Sequence, residues 1–177
     1  MAYSDAVIEA ARKQLTTVVE EVAAYLQCGL GVTRITTDTN SVPDLAAMRR
    51  QYFTMHSITV WTGASDRTIY IRRDVNTAFR FWHDYVHIVH NLGFTYEDER
   101  KVNYIQRKTI EYHVNKRRGI LHDDVIDAVL ELFDADTNGQ LEYHVMTGEF
   151  PHDQLHFAKR VLNGTFSTHK PLIGGLP

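Results

Sequence analysis

Asn76-Thr77-Ala78-Phe79-Arg80-Phe81-Trp82-His83-Asp84-Tyr85-Val86-His87-Ile88-Val89-His90-Asn91-Leu92 is the stretch that decides the fold. Phe81, Tyr85, Ile88 and Leu92 share one helical face, and Ala78, Trp82, Val86 and Val89 share its neighbour, so the spacing predicts a helix over 76–92 with a wide buried surface. Gly93 is the expected stop. Helical spacing resumes over 95–118, with Thr95 as N-cap, Glu97, Asp98 and Glu99 in the first turn, and Gly119 at the end. The basic run Lys116-Arg117-Arg118 suits a helix C-terminus, where cations complement the dipole. Two helices joined by so short a turn lie antiparallel.

Outward from this hairpin, residues 5–26 carry Val7, Ile8, Ala11, Leu15, Val18, Val19, Val22 and Leu26 at three- and four-residue steps, a helix with one apolar stripe. Ser4 caps it and Gly29 ends it. Residues 31–43 read as a loop with a short strand at 32–36, and 44–53 as a short helix. Ile58-Thr59-Val60-Trp61 and Thr68-Ile69-Tyr70-Ile71, separated by turn chemistry at 63–66, predict a β-hairpin. Beyond the central hairpin, 122–133, 140–147 and 153–162 are helical. The expected architecture is α+β, mostly helical, with a small β-hairpin or sheet preceding the central helical hairpin. It forms a single domain over 1–169 with a flexible tail at 170–177.

The 177-residue chain is 44% hydrophobic and 23% charged with a net charge of −3, a composition of folded domains. That balance argues against a protein built to neutralise many phosphates. A single cysteine, Cys28, excludes an intramolecular disulfide and a multi-cysteine zinc site. Because Cys28 follows an apolar helix with no charged neighbour, it is expected to be an inert buried thiol. Met1-Ala2-Tyr3-Ser4-Asp5 lacks the features of a signal peptide and no window is apolar enough for a membrane span, so the expected location is the cytoplasm. Ten histidines is a high count for this length, and their positions carry the functional reading.

His83, His87 and His90 recur at i, i+4 and i+7 on one side of the helix. Two imidazoles one turn apart can grip one divalent ion, Zn2+ or another divalent metal. The motif is His83-Asp84-Tyr85-Val86-His87. If the turn centres near Gly93 and Phe94, Glu99 falls opposite His87 and Asn103 opposite His83, which makes Glu99 the third ligand and Glu97 its reserve, opposite His90. A His, His, carboxylate set leaves a fourth position open, as catalytic zinc sites do.

The order of strand, then HDxxH helix, then Glu-bearing helix over Thr68 to Ile105 resembles that of gluzincin-type metallopeptidases. It is most similar to the small ones of phages and mobile elements that cleave repressors. Their motif is HExxH, and their second helix carries a Glu followed by a small-residue–Asn pair, to which Glu99-Arg100-Lys101-Val102-Asn103 is similar. The resemblance implies His83, His87 and Glu99 as ligands and Asp84 as the catalytic carboxylate. It also implies a host or regulatory protein as substrate and, for a phage-encoded chain, the host cytoplasm as location. The competing class is a non-catalytic phage-type binding protein, an inhibitor of a host factor that keeps the histidine helix for packing or for a structural metal.

Other constellations compete. His83-Asp84 also spells the core of an HD-type metal-dependent phosphohydrolase, with His56 and Asp127 or Asp134 cast as the remaining ligands. Asp134-Ala135-Asp136-Thr137-Asn138-Gly139-Gln140-Leu141-Glu142 opens like an EF-hand, but position 12 is Val145 where the bidentate Glu is needed, so the expectation is a helix break with Asp caps. His152-Asp153-Gln154-Leu155-His156 repeats the HDxxH spelling, and is equally a helix start after Pro151. Tyr143, Phe150 and Phe157 nearby are expected core anchors.

Overall fold

The stripe of the first helix becomes the spine of the core. A computed structural model describes residues 3–40 and 44–165. In it α1 (Asp5–Ala24) starts where the Ser4 hydroxyl accepts from the Val7 amide. Ile8, Leu15, Val18 and Val19 are fully buried, packed against α3 (Arg73–His90), α4 (Tyr96–Asn115) and α5 (Asp123–Asp134). After α1 the backbone widens into a π turn, Tyr25–Gly29, in which Leu26 alone is buried. That turn swings Cys28 outward, so the thiol expected inside is exposed. The tail expected at 170–177 lies outside the described residues.

The β-hairpin reading is corrected. β1 (Thr33–Thr37) and β2 (Ser57–Trp61) pair in parallel, Thr33 opposite Ser57 through Thr37 opposite Trp61. The crossover that a parallel pair requires is α2 (Leu45–Met55), capped by Asp44. Ile58 and Val60 of β2 are buried, and β2 packs on α3. Thr68-Ile69-Tyr70-Ile71 forms no strand. Ile69 and Tyr70 are buried, and side chains of α1 satisfy the backbone instead. Arg12 donates to the carbonyls of Ile69 at 2.9 Å and Tyr70 at 3.2 Å, and Thr16 Oγ1 accepts from the Ile71 amide at 3.2 Å. With its main-chain groups occupied this way, the segment has no need of a ladder partner.

The central helical hairpin forms as expected, with a different stop. α3 ends at His90, and Asn91 takes the left-handed cap at φ 54°. Gly93 follows in the turn, its amide donating to Asp98 Oδ2 at 3.0 Å, while Thr95 caps α4. The stretch 134–142 is neither a calcium loop nor a helix break. α5 runs through a π segment, Ala135–Gly139, into α6 (Gln140–Thr147). Thr137 donates back to the Phe133 carbonyl at 2.8 Å, which continues the helix. Gly139 lies against the Phe157 ring of the last helix, where a Cβ would be in ordinary van der Waals contact. The oxygens of the motif go to separate partners: Asp134 pairs with Arg107 and Asp136 accepts from Gln140.

α7 (Gln154–Leu162) is capped by Asp153 and packs on the π segment and α5. His152 and His156 are exposed. Phe157 is a core residue as expected, whereas Phe150 is 54% exposed. Among the described residues no helix is long and apolar enough to cross a membrane.

Candidate metal centre

α3 buries Val75, Ala78, Phe81, Trp82, Val86 and Ile88, which fixes the roll of the helix and turns His83 and His87 toward α4. His87 is fully buried, while His83 and Glu99 are 20% and 22% exposed at the side chain. The Nε2 atoms of the two imidazoles lie 2.9 Å apart. Glu99 Oε2 is 3.3 Å from His83 Nε2, and Glu99 Oε1 is 3.5 Å from His87 Nε2. These are the three residues the hairpin register brings together, and they form the metal-competent cluster found among the described residues. Glu97 and His90 are exposed and stand apart from it.

The other ring nitrogens determine what this cluster can hold. His87 Nδ1 faces the Leu92 carbonyl at 3.1 Å, a group that only accepts, so Nδ1 carries the proton. His83 Nδ1 likewise faces Gln106 Oε1 at 3.0 Å. In the neutral rings both Nε2 lone pairs therefore point at each other and at a carboxylate. Three electron-rich atoms converging without a cation would repel. A tetrahedral zinc ion with bonds of ~2.0–2.2 Å separates its ligand atoms by roughly 3.3–3.6 Å; the two Nε2 atoms stand a few tenths closer than that, and Glu99 meets them at 3.3 and 3.5 Å with a different carboxylate oxygen each. The residues fit such an ion.

A proton is the alternative cation. Burial lowers the His83 pKa, but the hydrogen bond and charge of Glu99 outweigh it, and the net direction is upward. Burial raises Glu99, and the hydrogen bonds from His83 and His87 overcome it, taking the carboxyl down to about 2. Asp84 is pushed up to about 6, by burial foremost, with His83, His87 and Arg80 opposing.

Two cavities flank α3. One of about 380 Å³ is walled by His83 and Glu99 together with Phe79, Phe94, Asn103 and Leu141, among others. The triad thus has one open side. The other cavity, of about 400 Å³, is lined by Asp84 with Thr37, Thr59, Trp61 and Arg80. Asp84 faces this second space. Arg80 lines both, but its guanidinium donates to the carbonyls of Trp61 at 2.9 Å and Gly63 at 2.6 Å, and no Asp84–Arg80 ion pair forms among the described residues.

The phosphohydrolase candidates are not gathered here. His56 is the exposed left-handed cap of α2, Asp127 is exposed, and Asp134 is engaged by Arg107. Sequence reasoning missed Gln106, and read Asp136 only as part of the calcium-loop spelling, not as a buried carboxyl. Gln106 sits seven residues after Glu99, two turns along the same face, and that spacing was a usable signal. Asp136 carried none, because its burial depends on a helix continuing where the composition suggests a loop. No protein family, no curated protein and no solved structure matches this chain.

Proposed function

We propose that this chain is a zinc-dependent, zincin-like hydrolase in which His83, His87 and Glu99 hold the ion, and that it acts as a peptidase on a host or regulatory protein. One observation carries the reading: two Nε2 atoms and a carboxylate converge at 2.9–3.5 Å with both Nδ1 protons anchored elsewhere, and the open side gives onto a cavity. Bound there, zinc supplies a Lewis acid that polarises a carbonyl and lowers the pKa of water toward neutrality. Gln106 and the Leu92 carbonyl orient the imidazoles. Glu99 contributes the single negative charge, which leaves the site net positive once loaded. Asp84 follows His83 directly on α3 but lines the cavity on the other side of that helix from the triad's open side, so its assignment to proton transfer comes from the motif-level resemblance alone. The peptidase assignment and the choice of substrate come from the motif-level resemblance.

The second reading is a metal-free binding protein, favoured by the upward His83 pKa beside a low Glu99, which describes an internal imidazolium–carboxylate pair. Metal analysis of the chain purified without a polyhistidine tag separates the two. One zinc per chain is expected, and loss of it in both His83→Ala and His87→Ala. Full metal retention in both variants, or none in the wild type, rejects the centre. With metal bound, turnover of a peptide panel is expected to fall ~10²–10⁴-fold in Asp84→Asn while zinc stays stoichiometric. A panel of peptides and phosphoesters with no metal-dependent turnover would leave a metal-bearing binding protein.

A further inference from the structure

α6 is the least anchored of the helices around the triad. Its one buried residue is Gln140, at the joint with the π segment, and that segment is the element it packs on foremost. Beyond the joint, Tyr143 meets Phe157 of α7 edge-on with ring centres 5.4 Å apart, while Val145 and Met146 are each 62% exposed. Gly148 then reverses the chain at φ 80°. Phe150 stacks back on His144 with ring centres 4.3 Å apart, which ties 140–150 into one flap. The flap faces the triad across a gap. The cavity of about 380 Å³ has His83, Phe94 and Glu99 on one side and Leu141, His144 and Phe150 on the other. A hydrogen bond closes the gap at its edge, the Tyr96 hydroxyl on α4 donating to Glu142 Oε1 on α6. At the joint, Gln140 Nε2 donates to Asp136 Oδ1 at 2.7 Å. A helix of eight residues has little stability of its own, and an element with few buried apolar contacts opens at lower free energy than the core. π segments within helices recur at functional sites.

We propose that α6 and the turn 148–150 form a lid on this cavity, pivoting on the π segment Ala135–Gly139 and latched to α4 by the Tyr96–Glu142 bond. With the lid latched, the cavity lies at the low end of the about 300–1,000 Å³ of small-molecule pockets, so a peptide chain enters only when the lid lifts. As a gate for substrate this rests on the hydrolase reading. As a motion of the chain it needs no metal.

Amide hydrogen exchange of the full untagged chain, with zinc and with chelator, reads the motion. Protection of α6 is expected to be about a hundredfold below that of α3 and α5. Tyr96→Phe and Glu142→Ala each remove the latch and should lower α6 protection by about a further tenfold, since the bond has a charged acceptor, while α3 and α5 keep theirs. The double variant should go no further than either single one, because both delete the same bond. In zinc-loaded protein the same variants should release the ion to a chelator about tenfold faster. Protection of α6 equal to that of α5, wild-type protection in the latch variants, or a loss shared by α3 and α5 overturns the proposal. Faster α6 exchange with unchanged zinc release overturns its role as a gate. A chain that takes up no zinc yet shows the α6 exchange pattern rejects the metal centre and leaves the lid standing.

Discussion

His83 is oriented by a side chain and His87 by a backbone carbonyl, so only the first can be released by substitution. Gln106→Leu removes the acceptor at His83 Nδ1 and frees the ring to turn and change tautomer. Zinc affinity is expected to drop ~10–100-fold, the usual cost of losing such a partner, as read by competition with a chromophoric chelator. Gln106→Glu should hold affinity near wild type. Equal affinity in Gln106→Leu would show that packing alone positions the ring. Asp136 is the other residue with a measurable signature. Burial foremost takes its carboxyl from 3.8 to about 7, against the hydrogen bond from Gln140 and the charge of Arg80. The folded chain therefore holds this proton more tightly than the unfolded chain. Stability falls as pH rises from about 4 to about 7 and is flat above, by at most ~4 kcal/mol at ~1.4 kcal/mol per pH unit. Urea unfolding at pH 4.5 and pH 8 should show this slope in the wild type and a smaller one in Asp136→Asn, the remainder coming from Asp84, whose carboxyl is raised to about 6 and acts with the same sign. An unchanged slope in the variant would assign the effect elsewhere. Glu99 acts with the opposite sign, but its window runs from 4.5 down to about 2 and barely overlaps.

At the scale of elements, the most informative case is the segment Thr68 to Ile71. Its β-rich composition reads as a strand, and such a run is apolar because it is buried, whether in a sheet or under a helix. Arg12 on α1 decides between them by taking two carbonyls that a neighbouring strand would have used. Arg12→Leu leaves both acceptors without their charged donor and is expected to cost about 3 kcal/mol in urea unfolding, since each such bond contributes ~1.5–3 kcal/mol. A loss below about 1 kcal/mol would mean that Ile69 and Tyr70 are held by burial alone. The same logic explains 134–142. Asp, Thr, Asn and Gly in that order satisfy a turn locally, but Thr137 bonding back to Phe133 and Phe157 packed against Gly139 keep the chain helical. The hairpin of α3 and α4 was legible because its signals were all local: apolar periodicity, an N-cap and an acidic first turn.

For the whole molecule, the triad bridges α3 and α4, so the zinc binding proposed for it links to global stability. Free zinc at a thousandfold excess over its dissociation constant adds ~4 kcal/mol, which in a domain of this size raises Tm by about 10 °C. Calorimetry of untagged protein with zinc and with chelator should show that difference, and Glu99→Gln should reduce most of it. No zinc dependence of Tm would rule out a ligand set spanning the two helices. The sequence alone determined the helical class of the chain, the central hairpin, and the convergence of His83, His87 and Glu99. Each of these follows from the helical repeat and from the length of one short turn, which are properties of neighbours in the chain. Tertiary structure decided the rest. Parallel pairing of β1 with β2, the roles of Gln106 and Arg12, the burial of Asp136 and the cavity beside the triad all arise between segments 20 to 100 residues apart. There, which group satisfies a buried carbonyl or imidazole depends on how the helices pack, and no local pattern records that.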